Sequence, residues 1–413
     1  MKILLTGGGT AGHLMPLLAV VSELKKLSTE KKIGKLEFLL LSPDSEFNKS
    51  ISDAGIQIKT IKAGKLRRYF SLENLIDVFK IPIGIIQSLY YVYKFKPDIV
   101  FSKGGFASIP PVAATWILKV PIITHESDII PGLANKVIAR FSSKILISFS
   151  DTEKYFKKNK VILTGNPVRS DIIEGSRENA LKFFKLSSNV PTILIFGGSQ
   201  GAQKINEMVL EILPNLIERC QVIHQCGIKN YSKIKNDIEK INILSRRSFS
   251  AEDCDEKARE SLRSSAERMQ RGENFPKANK HLFAFGKFAE RYKLYPYLNE
   301  EMKDAYAVAD IVVSRAGANS ISEIAVLKKP NILIPLSTSA GSHQFKNAEF
   351  FAEKGASLLI DETVSDSKNL LNCIFEILSN KDIQDKMKRA LQKLAPQNSA
   401  RRVAEEIIKV VKV

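Results

Sequence analysis

The sequence predicts an α/β protein of two doubly wound, parallel-sheet Rossmann-like domains facing one cleft. Short apolar runs alternate with helical patterns along the chain, which is the signature of parallel sheet. The alternation breaks in a polar stretch and restarts near mid-chain, and each half opens on a strand that runs into a glycine-rich turn. At 413 residues the chain exceeds an ordinary domain of about 100–200 residues, so two domains are expected. Hydrophobic residues at 44% and charged residues at 26% are close to globular averages, which excludes wholesale disorder.

In chain order, the first half has apolar strands at 3–5, 38–41, 99–101, 122–123 and 145–147. After Gly165-Asn166-Pro167-Val168-Arg169 and a polar helix, the second half resumes at 192–196, with later buried strands at 311–313 and 332–334. This gives an expected first domain over 1–165 and a second over 166–380. Residues 245–280, rich in Arg, Glu, Ser and Lys, read as a surface insertion. Residues 381–413 read as one amphipathic helix with Val403, Ile407, Val410 and Val411 on its packed face.

The balance of 62 basic over 44 acidic residues, +18, favours a polyanionic partner without choosing among nucleic acid, anionic membrane and phosphorylated small molecules. Four cysteines without a CxxC pair and five scattered histidines suggest neither metal nor disulfide framework, and fit a reducing cytoplasm. The amino terminus is too short in apolar residues for a signal peptide. The longest mostly apolar run, 81–93, contains Gln87 and Ser88 and falls short of the ~20 residues of a membrane span. A soluble or peripherally attached protein is expected.

Open parallel sheets bind ligands beyond the carboxyl ends of their strands, and the chemistry-bearing motifs fall on those loops. Gly7-Gly8-Gly9-Thr10-Ala11-Gly12-His13 leads from a strand into a helix through Pro16, where backbone N–H groups and the helix start favour an anion. His13 reads either as a general base or as a capping histidine. Ser102-Lys103-Gly104-Gly105-Phe106 and Phe196-Gly197-Gly198-Ser199-Gln200-Gly201-Ala202 are two further loops of this kind, and together the three favour a diphosphate ligand. His125-Glu126-Ser127-Asp128 follows a strand, where Glu126 or Asp128 would orient sugar hydroxyls or take a proton; equally, Ser127 and Asp128 would cap a helix with Pro131 in its first turn. Arg315-Ala316-Gly317-Ala318-Asn319-Ser320-Ile321-Ser322-Glu323 is another anion-friendly helix start with a carboxylate suited to a pair of ribose hydroxyls. Ser342-His343-Gln344-Phe345-Lys346-Asn347 offers amide side chains able to read sugar hydroxyls. Lys65-Leu66-Arg67-Arg68-Tyr69-Phe70 suits an anionic membrane surface, whereas most of the apolar stripe that follows, Leu72, Leu75, Ile76, Phe79, Ile83, Ile86, Tyr90 and Tyr93, is equally explained by a core-facing helix.

Taken in order, these loops, with His125-Glu126, Pro131-Gly132-Leu133, Gly165-Asn166-Pro167-Val168-Arg169 and Ser322-Glu323-Ile324-Ala325, resemble the MurG family of undecaprenyl-diphospho-muramoylpentapeptide N-acetylglucosaminyltransferases, GT-B enzymes of glycosyltransferase family 28. The resemblance runs from Met1 to about residue 360 and breaks at 245–280. It implies inverting transfer of N-acetylglucosamine from UDP-N-acetylglucosamine to the C4 hydroxyl of a lipid-linked muramyl-pentapeptide, at the cytoplasmic face of the bacterial inner membrane, without cofactor or metal. It also implies a peripheral anionic-membrane contact and no nucleic-acid partner.

Carried over by matched motif, Ser199 and Arg169 would meet the donor near its diphosphate, Leu298 the uracil through its backbone, and Glu323 the ribose. Ala318, Asn319, Ser320, Ile321 and Ser322 would bring a helix start to the diphosphate, and Gln344 would read the sugar. Thr10, Ala11, Gly12 and Asp128 are implied donor-side contacts from the first domain, with 10–13 also facing the acceptor diphosphate. Gly104, Gly105 and His125 are implied on the acceptor side. His13 is the leading candidate for the base and Glu126 its competitor. The chain departs from the family pattern at Ala11, where the family usually has Gly, and at Asp128, where it usually has Asn. A GT-B transferase acting on another membrane glycolipid is the nearest alternative; a basic nucleic-acid binder would leave the glycine-rich loops unexplained.

Overall fold

The computed structural model describes residues 1–45, 47–64, 72–198, 201–247, 290–337 and 342–411. The expected insertion at 245–280 lies outside the described residues except for its first three, which end a helix; Ser199 and the 65–70 segment lie outside them entirely.

The first half is a seven-stranded parallel sheet in the order β3-β2-β1-β4-β5-β6-β7. Its strands are β1 (Lys2–Thr6), β2 (Glu37–Ser42), β3 (Gln57–Thr60), β4 (Ile99–Ser102), β5 (Ile122–Glu126), β6 (Lys144–Ile147) and β7 (Val161–Leu163). Its helices are α1 (Ala11–Glu30), α2 (Asn48–Asp53), α3 (Leu72–Phe95), α4 (Ile109–Ile117) and α5 (Leu133–Phe141). Burial on both faces explains why the strands read as continuous apolar runs: along β1, Ile3 and Leu5 join one core while Leu4 joins the other.

The second half repeats the plan with six strands in the order β10-β9-β8-β11-β12-β13. They are β8 (Thr192–Phe196), β9 (Gln221–Gln225), β10 (Tyr292–Tyr295), β11 (Ile311–Ser314), β12 (Asn331–Leu333) and β13 (Leu358–Leu359). The helices continue as α6 (Arg177–Phe183), α7 (Gln203–Arg219), α8 (Ile228–Arg247), α9 (Glu301–Val308), α10 (Ala318–Val326), α11 (His343–Glu353), α12 (Ser367–Ser379), α13 (Lys381–Leu394) and α14 (Ser399–Val411).

Five strands are absent from the sequence reading, for two physical reasons. β3, β7, β10 and β13 are sheet edges, short and half exposed, so they need no apolar run. β9 is central and fully buried yet reads Gln-Val-Ile-His-Gln, because its polar side chains all find partners. Gln221 donates to Ser187 O and Val190 O, His224 sits between Tyr292 Oη and Asn206 Oδ1, and Gln225 accepts from Leu298 N.

The carboxyl-terminal segment is also corrected. It is two helices, because Ala395-Pro396-Gln397-Asn398 interrupts 381–413 and Asn398 takes the left-handed conformation (φ 57°). α13 packs Met387 and Leu391 on the second half, whereas α14 crosses back and buries Val403, Ala404, Ile407 and Ile408 beside Leu17, Val20 and Leu24 of α1. Arg401 clamps the crossing with a two-pronged contact to Glu30, at 3.0 and 2.6 Å. A second tie between halves is aromatic: Phe149 lies against Phe350 and Phe351, ring centroids 5.7 and 5.8 Å apart.

Candidate active site

The carboxyl ends of both sheets open on one cleft of about 1590 Å³, reached by His13, Lys103, Gly105, Glu126 and Asp128 from the first half and Arg169, Leu298, Asn319, Glu323 and Gln344 from the second. Among the described residues no cluster of His, Cys, Asp and Glu is arranged to hold a metal ion.

His13 stands in the first turn of α1, whose cap is Thr10. Two glycines make room for its ring. A Cβ on Gly8 would lie 2.8 Å from Nδ1, and one on Gly105, itself at φ 82°, would lie 3.1 Å from Nε2. Nδ1 is 3.1 Å from Thr10 Oγ1. With the proton on Nδ1 and donated to Thr10, the Nε2 lone pair is left free. Burial, reinforced by the Lys103 ammonium and opposed by Asp128, lowers the imidazole from 6.5 to about 4. At neutral pH it is uncharged and able to accept a proton.

Glu126 ends β5 and is buried, and its oxygens accept from Asp128 N (2.9 Å), Gly132 N (3.2 Å) and Asn135 Nδ2 (2.7 Å). Burial and the Asp128 carboxylate raise it from 4.5 to about 7, against the pull of the Asp128 N–H, Asn135 and Lys103. Its hydrogen bonds brace the turn before α5, which starts at Leu133 with Gly132 as its cap, so Pro131 stands just outside the first turn rather than in it. Asp128 Oδ1 accepts from Asn347 Nδ2 of the second half at 2.8 Å, and Asn347 Oδ1 accepts from Ile129 N at 3.1 Å.

Several residues expected at the ligand stand elsewhere. His125 is fully buried with both ring nitrogens engaged, Nδ1 by Lys103 Nζ (2.8 Å) and Nε2 by Gly165 O (3.0 Å), so it lies beneath the cleft rather than in it. Gly104 also sits beneath the cleft, where a Cβ would lie 2.0 Å from Asn135 Oδ1. In α10, Ile321 turns into the core and Ser322 Oγ donates back to Ala318 O. Only Ala318, Asn319 and Ser320 of that helix start face the cleft, with Glu323 one turn on. Thr10 is exposed, and its hydroxyl is within hydrogen-bond distance of His13 Nδ1.

In the second half, Gly317 caps α10 without a side chain, leaving the first N–H groups of the helix open. Glu323 Oε2 accepts from Tyr306 Oη at 3.0 Å, and burial outweighs Arg169 and this bond to raise the carboxyl from 4.5 to about 7. Leu298 N already donates to Gln225 Oε1 at 2.8 Å. Gln344 Oε1 accepts from Leu336 N at 3.0 Å, which fixes the amide and turns its NH2 away from that bond. Sequence reasoning passed over Asn135, Tyr306 and Gln225, since single polar residues carry no periodic signal and only the tertiary contact gives them meaning; Asn347, expected to read sugar hydroxyls, instead spends its amide on Ile129 N, Asp128 and Ala316 O.

Two family models cover most of the chain: the glycosyltransferase family 28 N-terminal domain at residues 3–147 and the glycosyltransferase family 28 C-terminal domain at 192–252 and 248–407. The chain belongs to glycosyltransferase family 28. This family-28 chain is 37% identical over 384 residues, 92% of each chain, to a UDP-N-acetylglucosamine–N-acetylmuramyl-(pentapeptide) pyrophosphoryl-undecaprenol N-acetylglucosamine transferase of Clostridium botulinum (strain Kyoto / Type A2). It is 37% identical over 409 residues to the second such transferase of Bacillus cereus strain ATCC 14579, covering 98% of this chain and 99% of that one. The crystal structure of Acinetobacter baumannii MurG shares the fold with a TM-score of 0.67 at 22% identity, over 99% of both chains. A UDP-GlcNAc 2-epimerase from Neisseria meningitidis shares it at 0.62 and 14%, over 99% of this chain and 100% of that one. The architecture of this family-28 chain is therefore GT-B.

Proposed function

We propose that this family-28 chain transfers N-acetylglucosamine from UDP-N-acetylglucosamine to the C4 hydroxyl of a lipid-linked muramyl-pentapeptide, with inversion. The observation that carries the reading is an uncharged, glycine-bracketed His13 facing, across one cleft, the open first turn of α10. Relatives of near-full length named for this reaction support it.

His13 Nε2 takes the acceptor hydroxyl proton as that oxygen bonds to the anomeric carbon and the bond to the UDP oxygen breaks. UDP leaves with the electron pair, and its growing charge meets the N–H groups of Ala318, Asn319 and Ser320, which need no reorganisation. Arg169 adds a cation beside the diphosphate, Glu323 accepts from the ribose hydroxyls, and Gln344 reads the sugar. A base over Leu298 meets its carbonyl or displaces Gln225 from its N–H. Asp128, an anion where the family usually has an amide, serves a sugar hydroxyl and not a phosphate. Glu126 shapes the acceptor loop, since three donors already occupy its oxygens.

The acceptor's lipid directs this chain to a membrane surface. Ile86, Tyr90 and Tyr93 of α3, Trp116 and Ile117 of α4, and Leu133 and Phe141 of α5 are exposed on neighbouring helices, and Leu133 also lines the cleft. Exposed Lys94, Lys119, Lys136 and Arg140 border them. No helix among the described residues is long and apolar enough to cross a membrane. This surface and the lipid of the acceptor support a peripheral attachment beside anionic lipid, which we place at the cytoplasmic face of the inner membrane.

The test is UDP release from UDP-N-acetylglucosamine with and without a lipid-linked muramyl-pentapeptide, comparing wild type with Glu323→Ala. Acceptor-dependent release that collapses in the variant supports both reaction and donor site. Release only with another glycolipid acceptor would replace the acceptor assignment.

A further inference from the structure

We propose that Lys103 is a positioning residue of the transfer reaction: its buried ammonium locks the linker between the two sheets and, through Asn166 and Asn319, holds the His13 loop against the first turn of α10. The inference rests on the transfer reading for its kinetic consequence, and on geometry alone for the bridge.

Lys103 directly follows β4, and its backbone N–H donates to Thr6 O at 2.8 Å. Its side chain is 2% exposed, and Nζ meets three acceptors: His125 Nδ1 at 2.8 Å, Asn166 Oδ1 at 2.9 Å and Ser127 Oγ. An ammonium has three N–H groups, so none remains for a phosphate, although the glycine-rich loop around Lys103 suggests one. His125 Nε2 donates to Gly165 O, which leaves Nδ1 as the acceptor Lys103 requires. Lys103 thus grips two successive linker residues, Asn166 directly and Gly165 through His125.

From there the polarity of each amide is set from both ends, because the ammonium can only donate and the carbonyls of Ala318 and Gly12 can only accept. With Oδ1 held by the ammonium, Asn166 presents Nδ2 to Asn319 Oδ1 at 2.9 Å and to Ala318 O at 3.4 Å. Asn319 then presents its own Nδ2 to Gly12 O at 3.2 Å. That carbonyl is free because the residue four positions on is Pro16, which has no N–H to offer it. Gly12 adjoins His13. The chain therefore runs from a buried cation, across the domain junction and the helix start that faces the leaving group, to the residue beside the base. Without the ammonium Asn166 Oδ1 is a buried acceptor with no donor, and only the long 3.4 Å contact of Nδ2 to Ala318 O is left to hold the amide against Asn319.

The experiment uses the full-length protein as wild type, Lys103→Met, Asn166→Ala and the double variant. Turnover is measured with the lipid-linked acceptor, donor affinity by calorimetry, and amide exchange across residues 7–17 and 316–326. A misplacement of ~1 Å costs on the order of 10²-fold in rate, so kcat is expected to fall by about that much in each single variant with donor affinity unchanged. The double variant is expected to be no slower than the slower single, since the residues act as one unit. Both segments are expected to exchange faster. Losses that multiply, an undiminished kcat, or unchanged exchange would overturn the proposal. Should Lys103→Met not fold, Asn166→Ala with Asn319→Ala runs the same cycle across the second joint. If wild type releases no UDP with any acceptor, the transfer reading fails, and the exchange measurements decide the bridge on their own.

Discussion

Ser102-Lys103-Gly104-Gly105 after β4 and Ser314-Arg315-Ala316-Gly317 after β11 occupy matching positions in the two sheets, Ser102 pairing with Thr6 of β1 and Ser314 with Phe196 of β8. Both cations are buried, but they are neutralised differently. Arg315 Nη1 meets the Glu362 carboxylate at 2.7 Å and the carbonyls of Ile334 and Pro335 at 3.1 Å each. Lys103 meets an imidazole, a hydroxyl and an amide, all uncharged, and makes no ion pair among the described residues. Burial lowers it from 10.5 to about 7, while Glu126 and Asp128 act on it through space and in the opposite direction. A paired cation cancels its own field and holds a loop. An unpaired one projects its field into the cleft while it stays protonated, below about pH 7, and there it helps keep His13 uncharged. One topological position thus holds a loop in the second half and, in the first, acts on the residue proposed as the base.

The largest effect expected follows from that assignment. His13→Ala should lower kcat by about 10²–10⁴-fold, the usual worth of a positioned general base, with UDP-N-acetylglucosamine affinity intact. Steady-state kinetics beside calorimetric donor binding check it. Undiminished turnover would remove His13 from the mechanism and leave the two halves without the proposed division of labour.

Next comes the paired cation. Arg315→Met leaves the Glu362 carboxylate buried without its partner, and breaking such a pair costs about 3–5 kcal/mol of stability. Urea unfolding reads this directly. A stability loss well below that range would mean that Glu362 finds relief in Ser337, whose N–H and hydroxyl already donate to Oε1 at 3.0 and 3.1 Å.

How legible these two halves were in sequence differs in the same way. Apolar runs gave away the central strands, such as β1, β4, β8 and β11, because burial on both faces forces a continuous pattern. Gly8 and Gly105 were legible as loop glycines, but their purpose, space for the His13 ring, is a contact between residues far apart in sequence. Lys103 read as a phosphate-facing lysine because sequence cannot reveal that all its donors are spent inside the protein. His125 read as a ligand-facing imidazole for the same reason. The α14 crossover was hidden because its stripe of Val403 and Ile407 specifies an apolar partner without saying which half supplies it.

A smaller effect tests the donor half through protons. Glu323 is raised from 4.5 to about 7, so the folded protein holds a proton there that the unfolded chain lacks between those values. Its contribution to stability is full below pH 4.5 and is lost as pH rises through about 7. Ribose hydroxyls that donate to the carboxylate favour its ionised form, so donor binding near pH 6.5 should release a proton. Calorimetry in buffers of different ionisation enthalpy measures that release, and Glu323→Gln should abolish it. Heats independent of buffer in wild type would remove Glu323 from the ribose.

The smallest effect separates two components of the acceptor half's outer face. Trp116 is 56% exposed and lies tilted against Phe141, ring centroids 5.2 Å apart, while Lys136, one turn before Arg140 on α5 and 5.4 Å from the centre of the Tyr155 ring, brings a charge to the same face. Inserting a half-exposed apolar side chain into lipid is worth about 1 kcal/mol, roughly fivefold in partitioning, and does not depend on salt. A surface lysine contributes a similar amount only against anionic lipid and only where screening is weak. Trp116→Ala should therefore weaken binding to neutral and anionic vesicles alike, at any salt. Lys136→Ala should weaken binding only to anionic vesicles at low salt. If both variants behaved as the lysine does, the apolar strip would not enter the bilayer, and this face would be held at the membrane by charge alone.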